Sequence, residues 1–179
     1  MTHPTLSPDN PVISAVDAFH FETVESFWLI GLGSSGPYFN PQMPSNNWVI
    51  PIWREFLQRQ NELPATADRS RYLSPCHGRE TDFTFYCGLA VSEKPSHLPA
   101  EMTAIRIPTH TYAVGTVTGA REEIDRVYAA LPPWAAEQGY PVNNAILWLE
   151  SYPYPKGPTL EPDQPHFFHI YLPVYLLAA

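Results

Sequence analysis

Basic residues are scarce in this chain. Ten Lys and Arg stand against 18 Asp and Glu, for a net charge of −8. They form no cluster, and Arg69 and Arg71 are the densest pair. Phosphate binding needs a basic patch, so the balance argues against nucleic acid as a direct partner. Cysteine is nearly absent. Cys76 and Cys87 lack C-x-x-C spacing and have no adjacent ligand cluster, which argues against a thiolate metal site. A disulfide between them is left open. No apolar run reaches the roughly 20 residues of a membrane span. The N-terminus lacks a charged segment followed by an apolar one, so a cytoplasmic protein with no membrane association is the expectation. Gly31, Gly33 and Gly36 match G-x-G-x-x-G, but a loop rich in Pro and Asn follows them and not the helix of a Rossmann unit, and G-x-S-x-G is missing, so neither a phosphate loop nor a nucleophile elbow is expected.

What is present is aromatic. Five Trp, ten Tyr and nine Phe fall among 179 residues, of which 44% are hydrophobic and 16% charged. This is a globular composition, long enough for one domain with a core. The aromatic load suits either a lined cavity or an aromatic core.

The element pattern follows from periodicity. Residues 1–18 read as a tail and 19–179 as a single domain. Phe19–Leu32 reads as strand and Phe39–Asn47 as loop. Val49, Ile52, Trp53, Phe56, Leu57 and Leu63 give the stripe of an amphipathic helix, with Pro51 in its first turn and Asn46 or Asn47 as cap. Arg71–Cys76 is a weak strand signal and Asp82–Val91 a strong one. Thr103–Thr118 reads as strand broken at Pro108. Thr118 or Gly119 then caps a helix with Glu122 and Glu123 in its first turn and a stripe of Ile124, Val127, Tyr128 and Leu131. Pro132-Pro133 is expected to interrupt that helix and Gly139 to stop it. Ile146–Tyr152 and His166–Leu176 read as strands.

The two halves, about 19–92 and 101–176, share this grammar. Trp28-Leu29-Ile30-Gly31 aligns with Tyr112-Ala113-Val114-Gly115, and Phe83–Val91 with His166–Val174. Each half reads as strand, helix, strand, strand. The expectation is an α+β fold built by pseudo-two-fold duplication: one antiparallel sheet, two main helices on one side, and a ligand groove between the halves.

One strand carries an anomaly. Alternation puts Ile146, Trp148, Glu150 and Tyr152 on a single face. A carboxylate between two aromatics needs a cationic or hydrogen-bonding partner if water is excluded. It either serves a pocket, pairs with Arg or Lys, or faces solvent.

These segments resemble the GyrI-like small-molecule-binding domain, which is also the effector-binding domain of AraC-type and MerR-type regulators. The matching stretches are Ile50-Pro-Ile-Trp53-Arg-Glu-Phe56, Phe85-Tyr86-Cys-Gly88-Leu-Ala-Val91, and Ile107–Val114 leading into Thr118-Gly119. Glu150-Ser-Tyr152 matches the Glu-x-Tyr motif and Ile170–Val174 the closing strand. The resemblance spans about Phe19–Tyr175. It implies that Glu150 projects into an aromatic cavity and meets hydrophobic, cationic small molecules, with no cofactor. Three departures stand out, the first a long loop from Gly33 to Asn47 that is rich in Pro and Asn. No helix-turn-helix precedes Phe19, so no direct DNA binding is expected, and His169 stands where the family often carries an acidic or polar residue.

Around Glu150, the candidate ligand-binding residues are Tyr86, Tyr112, Trp148, Tyr152, His169 and Tyr171, with Trp53 closing one end. Tyr86 and Gly88, and by the repeat His169 and Tyr171, share mixed faces expected to point into the groove. Phe85, Cys87 and Leu89, and Phe168, Ile170 and Leu172, should pack under the helices. For Tyr112, Trp148 and Trp53, core packing is the competing reading.

His166 and His169 fall on opposite strand faces and make a poor ligand pair, so no metal is expected. An enzyme is the alternative reading. By resemblance to hydrolases of the superfamily, Glu150 would act as base with Tyr152 or Tyr171 as proton donor. A gyrase-inhibitor-type interaction module is a third reading, and a homodimer or protein partner is left open.

Overall fold

In the computed structural model, which describes residues 19–38, 48–161 and 164–175, eight strands and two helices form one α+β unit. The first half contains β1 (His20–Val24), β2 (Phe27–Pro37), α1 (Val49–Arg59), β3 (Asp68–Gly78) and β4 (Asp82–Val91). The second contains β5 (Thr103–Ile107), β6 (His110–Gly119), α2 (Arg121–Glu137), β7 (Trp148–Pro153) and β8 (His166–Pro173). Each half has one strand more than expected, because the chain breaks after Val24 just as it breaks at Pro108.

All strands belong to one antiparallel sheet in the order β1-β6-β8-β7-β3-β4-β2-β5. Exchanging the halves reverses this order onto itself. The pseudo-two-fold therefore runs through the β3·β7 pairing, and each half lends its first strand to the other. The register sharpens the repeat. Leu29 pairs with Ala90 and Leu32 with Cys87 in one half. Tyr112 pairs with Pro173 and Gly115 with Ile170 at the same sequence offset in the other. The alignment of Trp28 with Tyr112 is thus one residue out. A one-residue slip changes the face of every side chain. Trp28 packs with the helix-side core, while Tyr112 lies in a second cluster with Val24, Ile107, Val114, Leu149 and Tyr171.

Both helices cover the same sheet face. Trp53 and Phe56 from α1, and Val127, Leu131 and Ala135 from α2, join Phe85, Cys87, Phe168 and Ile170 in one core. Pro132-Pro133 does not interrupt α2, which runs unbroken to Glu137. The two prolines withhold only the N–H groups that would meet the Tyr128 and Ala129 carbonyls. The buried stripe at i, i+4 and i+8 continues past them. Gly139, at φ 86°, then closes the helix. Its N–H bonds the Ala136 carbonyl, and the Tyr140 N–H bonds that of Ala135, the Schellman pattern. Neither Thr118 nor Gly119 caps α2; the cap position is Ala120, without a side-chain bond. For α1 the cap position is Trp48, and the expected caps Asn46 and Asn47 lie outside the described residues. Cys76 and Cys87 are both free thiols. Among the described residues no helix is long and apolar enough to cross a membrane.

Candidate functional site

Between the two helices, above the β3·β7 junction, lies a cavity of about 1030 Å³. Its floor is β7. Trp148, Glu150 and Tyr152 alternate with the buried Leu149 and Ser151, so all three turn to the helix side. Two ring systems flank the carboxylate. Tyr128 of α2 stacks on Trp148 with centroids 5.5 Å apart. On the other side Tyr152 stacks on Phe168 at 4.9 Å and meets the Trp53 edge at 5.3 Å.

Glu150 is held by two phenols. The Tyr128 hydroxyl donates to its Oε1 and the Tyr152 hydroxyl to its Oε2, each at 2.6 Å. Among the described residues no Lys or Arg forms an ion pair with it. The side chain is half-buried, and its remaining exposure is to the cavity it lines. Burial raises the Glu150 pKa above the ordinary glutamate range. The two phenol hydrogen bonds and the more distant Arg121 charge oppose that rise. The same burial, with the Glu150 charge, pushes Tyr128 and Tyr152 well above the usual phenol range. Both therefore remain protonated donors. Cys76, opposite Trp148 in the register, lines the cavity with a thiol that burial and Glu150 push up.

Three arginines at or near the rim have carboxylate partners. Arg54 meets Glu161 at 3.1 Å and Arg121 meets Asp125 at 3.5 Å. Arg79 pairs with Asp82. The interior thus combines apolar rings with one carboxylate held by neutral donors. This arrangement can attract positive charge. Among the described residues no group of three or more His, Cys, Asp or Glu could hold a metal ion.

Of the expected site residues, Trp53, Trp148, Glu150 and Tyr152 surround this cavity. Tyr86, Tyr112, His169 and Tyr171 do not. They lie on the sheet face away from the helices, because their strands alternate and the all-apolar faces that pack under the helices also line the cavity. Tyr171 donates to Glu22 at 3.3 Å and accepts from Arg71 at 3.2 Å. His169 Nδ1 lies 3.0 Å from Thr116 Oγ1. The Tyr86 ring fills the space left by Gly33, where a Cβ would come within 2.3 Å of it. The expectation that the mixed faces line the groove is corrected accordingly.

Several cavity residues escaped the sequence reading, among them Tyr128, Phe168 and Cys76. Tyr128 sat in the apolar stripe of α2, where its hydroxyl was the available signal. Phe168 falls on a face expected to pack as core, and Cys76 ends the weak strand signal that becomes β3, with no site role expected of it.

Solved structures share this architecture. SAV2435, solved with tetraphenylphosphonium bound, superposes with a TM-score of 0.59 at 14% identity, covering 89% of this chain and 94% of its own. The C-terminal domain of EcmrR gives 0.60 at 17%, covering 89% and 98%. The integron cassette protein VCH_CASS2 of Vibrio cholerae gives 0.56 at 12%, covering 88% and 95%. At these identities the likeness is one of fold. No curated protein sequence matches the chain. Residues 20–174 match one family model across the entire two-fold unit, and the chain belongs to Cass2, the integron-associated effector binding protein family.

Proposed function

We propose that this protein binds hydrophobic, cationic small molecules in the cavity between α1 and α2, with Glu150 as the charge anchor and the surrounding rings as the walls. One observation carries this reading: a carboxylate deep in an aromatic cavity is held by two neutral phenols, with no cation in ion-pair contact among the described residues. Such a charge is costly to bury unless something neutralises it. A delocalised organic cation loses less hydration on entering than a compact ammonium does. Each well-placed ring face adds about 0.5–2 kcal/mol of cation–π attraction. The cavity volume fits a drug-sized guest.

The tetraphenylphosphonium held by SAV2435 supports the choice of ligand class. Sequestration of a toxic compound and sensing of an effector, alone or through a transcription-regulating partner, are both consistent with such a pocket. The cytoplasm is the compartment this reading takes, in keeping with two free thiols.

The test is titration with tetraphenylphosphonium, followed by tryptophan fluorescence. Trp148 and Trp53 line the cavity, so binding should quench their emission. Glu150→Gln should weaken binding about tenfold or more, the range for removing a charged partner of a desolvated ion. Equal binding by the variant would refute the anchor role.

A further inference from the structure

The row of side chains that crosses the cavity floor contains two polar residues side by side. Glu150 pairs in register with Ser74 of β3 on one side and with Ile170 on the other. Ile170 continues to Gly115, and Ser74 lies next to Cys87, which pairs with Leu32. The pseudo-two-fold exchanges Leu32 with Gly115 and Cys87 with Ile170. It therefore exchanges Ser74 with Glu150. The duplication has placed a hydroxyl and a carboxylate at equivalent, adjacent positions astride the axis.

Ser74 is wholly buried, and its Oγ has no hydrogen-bond partner. A buried, unsatisfied hydroxyl is costly, because it gives up water without gaining a partner. Its nearest strand neighbour on that face has both carboxylate oxygens engaged by Tyr128 and Tyr152. These two donors sit on different elements. Tyr152 is on the floor strand, buried between Phe168 and Trp53. Tyr128 belongs to the helical wall, just before the stretch of α2 where Pro132 and Pro133 withhold backbone hydrogen bonds.

We propose that Ser74 is a positioning residue for ligand binding: when a cation enters, Glu150 gives up the Tyr128 phenol and takes the Ser74 hydroxyl, keeping Tyr152 throughout. The orphaned donor is satisfied in the occupied state, and the Tyr128 ring is freed to face the guest. This inference rests on the cation-binding reading above and specifies how that site changes on occupancy.

The experiment is a double-mutant cycle of Ser74→Ala and Glu150→Gln, read by tetraphenylphosphonium affinity and by thermal unfolding of the ligand-free protein. Ser74→Ala should weaken binding about five- to tenfold, as expected for a hydrogen bond to a charged group, yet leave the ligand-free melting temperature unchanged or raised, because an orphan is removed. In the Glu150→Gln background the same substitution should have no effect on affinity. Ser74→Thr, which keeps the hydroxyl, should restore binding. Unchanged affinity in Ser74→Ala, or an equal loss in both backgrounds, overturns the proposal while leaving the anchor role intact. If the wild type does not bind the cation at all, the cation reading fails and the Ser74 role falls with it.

Discussion

Tyr152 and Glu150 are two residues apart on one face of β7, and the hydroxyl of the first donates to the carboxylate of the second at 2.6 Å. The Glu-x-Tyr spacing is thus a strand-face geometry, in which the tyrosine holds its own neighbour. Tyr128 makes an equally short bond from another element. Removing each phenol should therefore have different consequences. Tyr152→Phe should weaken tetraphenylphosphonium binding about tenfold at neutral pH, because without that donor Glu150 holds its proton to higher pH and must release it to meet the cation. Tyr128→Phe should stay within about threefold of wild type, since the phenol is released on binding and its loss costs the complex little. Fluorescence titration of the two variants decides the point. Equal losses would mean that both phenols stay on Glu150 in the complex.

The Glu150 pKa sets a pH dependence of defined sign. Burial raises it, so the folded protein holds a proton at pH values where the unfolded chain has already released it. The corresponding stability is present below the unfolded value, about 4.3, and is lost as pH rises through the folded value. Glu150→Gln has no such proton to lose. Its melting temperature should therefore gain on wild type as pH rises above about 4. Cation affinity should run the opposite way in wild type, increasing over the same window as the carboxylate ionises. Thermal unfolding at a series of pH values reads the first effect. Parallel curves for the two proteins would show that the carboxyl is not perturbed.

How much of this was readable from the sequence depends on where the physics is local. The two helices, the strong strand Asp82–Val91 and the duplication follow from periodicity, and the structure has all three. The anomalous carboxylate was also visible, because Trp148, Glu150 and Tyr152 alternate within a few residues. Tyr86 and Tyr171 went to the wrong side because strand alternation separates two faces without saying which one the cavity shares. That choice depends on the gap between α1 and α2, a long-range property. β3 gave a weak signal because Pro75 and a register shift between Asp68 and Leu73 blur its period. The role of Tyr128 depends on a contact between α2 and β7 that spacing alone does not encode.

Cys76 offers a chemical reporter of occupancy. Its thiol lines the cavity, while Cys87 is sealed beneath α1 with its Sγ donating weakly to the Ile52 carbonyl. Burial and the Glu150 charge keep the Cys76 thiolate scarce, so alkylation by N-ethylmaleimide should be slow at neutral pH and accelerate as pH rises. Bound tetraphenylphosphonium should protect it, and Glu150→Gln should speed the unliganded reaction. Mass spectrometry of the labelled protein should find one modified cysteine in the native state. Equal labelling of both thiols, or no protection by the cation, contradicts this assignment of the cavity.

Two glycines should separate floor integrity from helix termination. Gly31 faces Gly88 across β2 and β4, and a Cβ there would sit 1.8 Å from the Cys87 carbonyl oxygen and 2.7 Å from the Gly88 Cα. Both are backbone atoms, so Gly31→Ala must push the strands apart. A loss of about 3 kcal/mol or more is expected, at the upper end of single substitutions. Gly139→Ala meets nothing within 4 Å, and its penalty comes from φ 86° alone, about 1–2 kcal/mol. The two should also differ in function. β4 carries Cys87, the neighbour of Ser74 in the row that contains Glu150, so Gly31→Ala should weaken cation binding even where the protein remains folded. Gly139 lies beyond the end of α2, and its substitution should leave affinity unchanged. Urea denaturation alongside ligand titration measures both effects. Affinity that tracks stability equally in the two variants would show that binding reports only the folded fraction, and not the geometry of the floor.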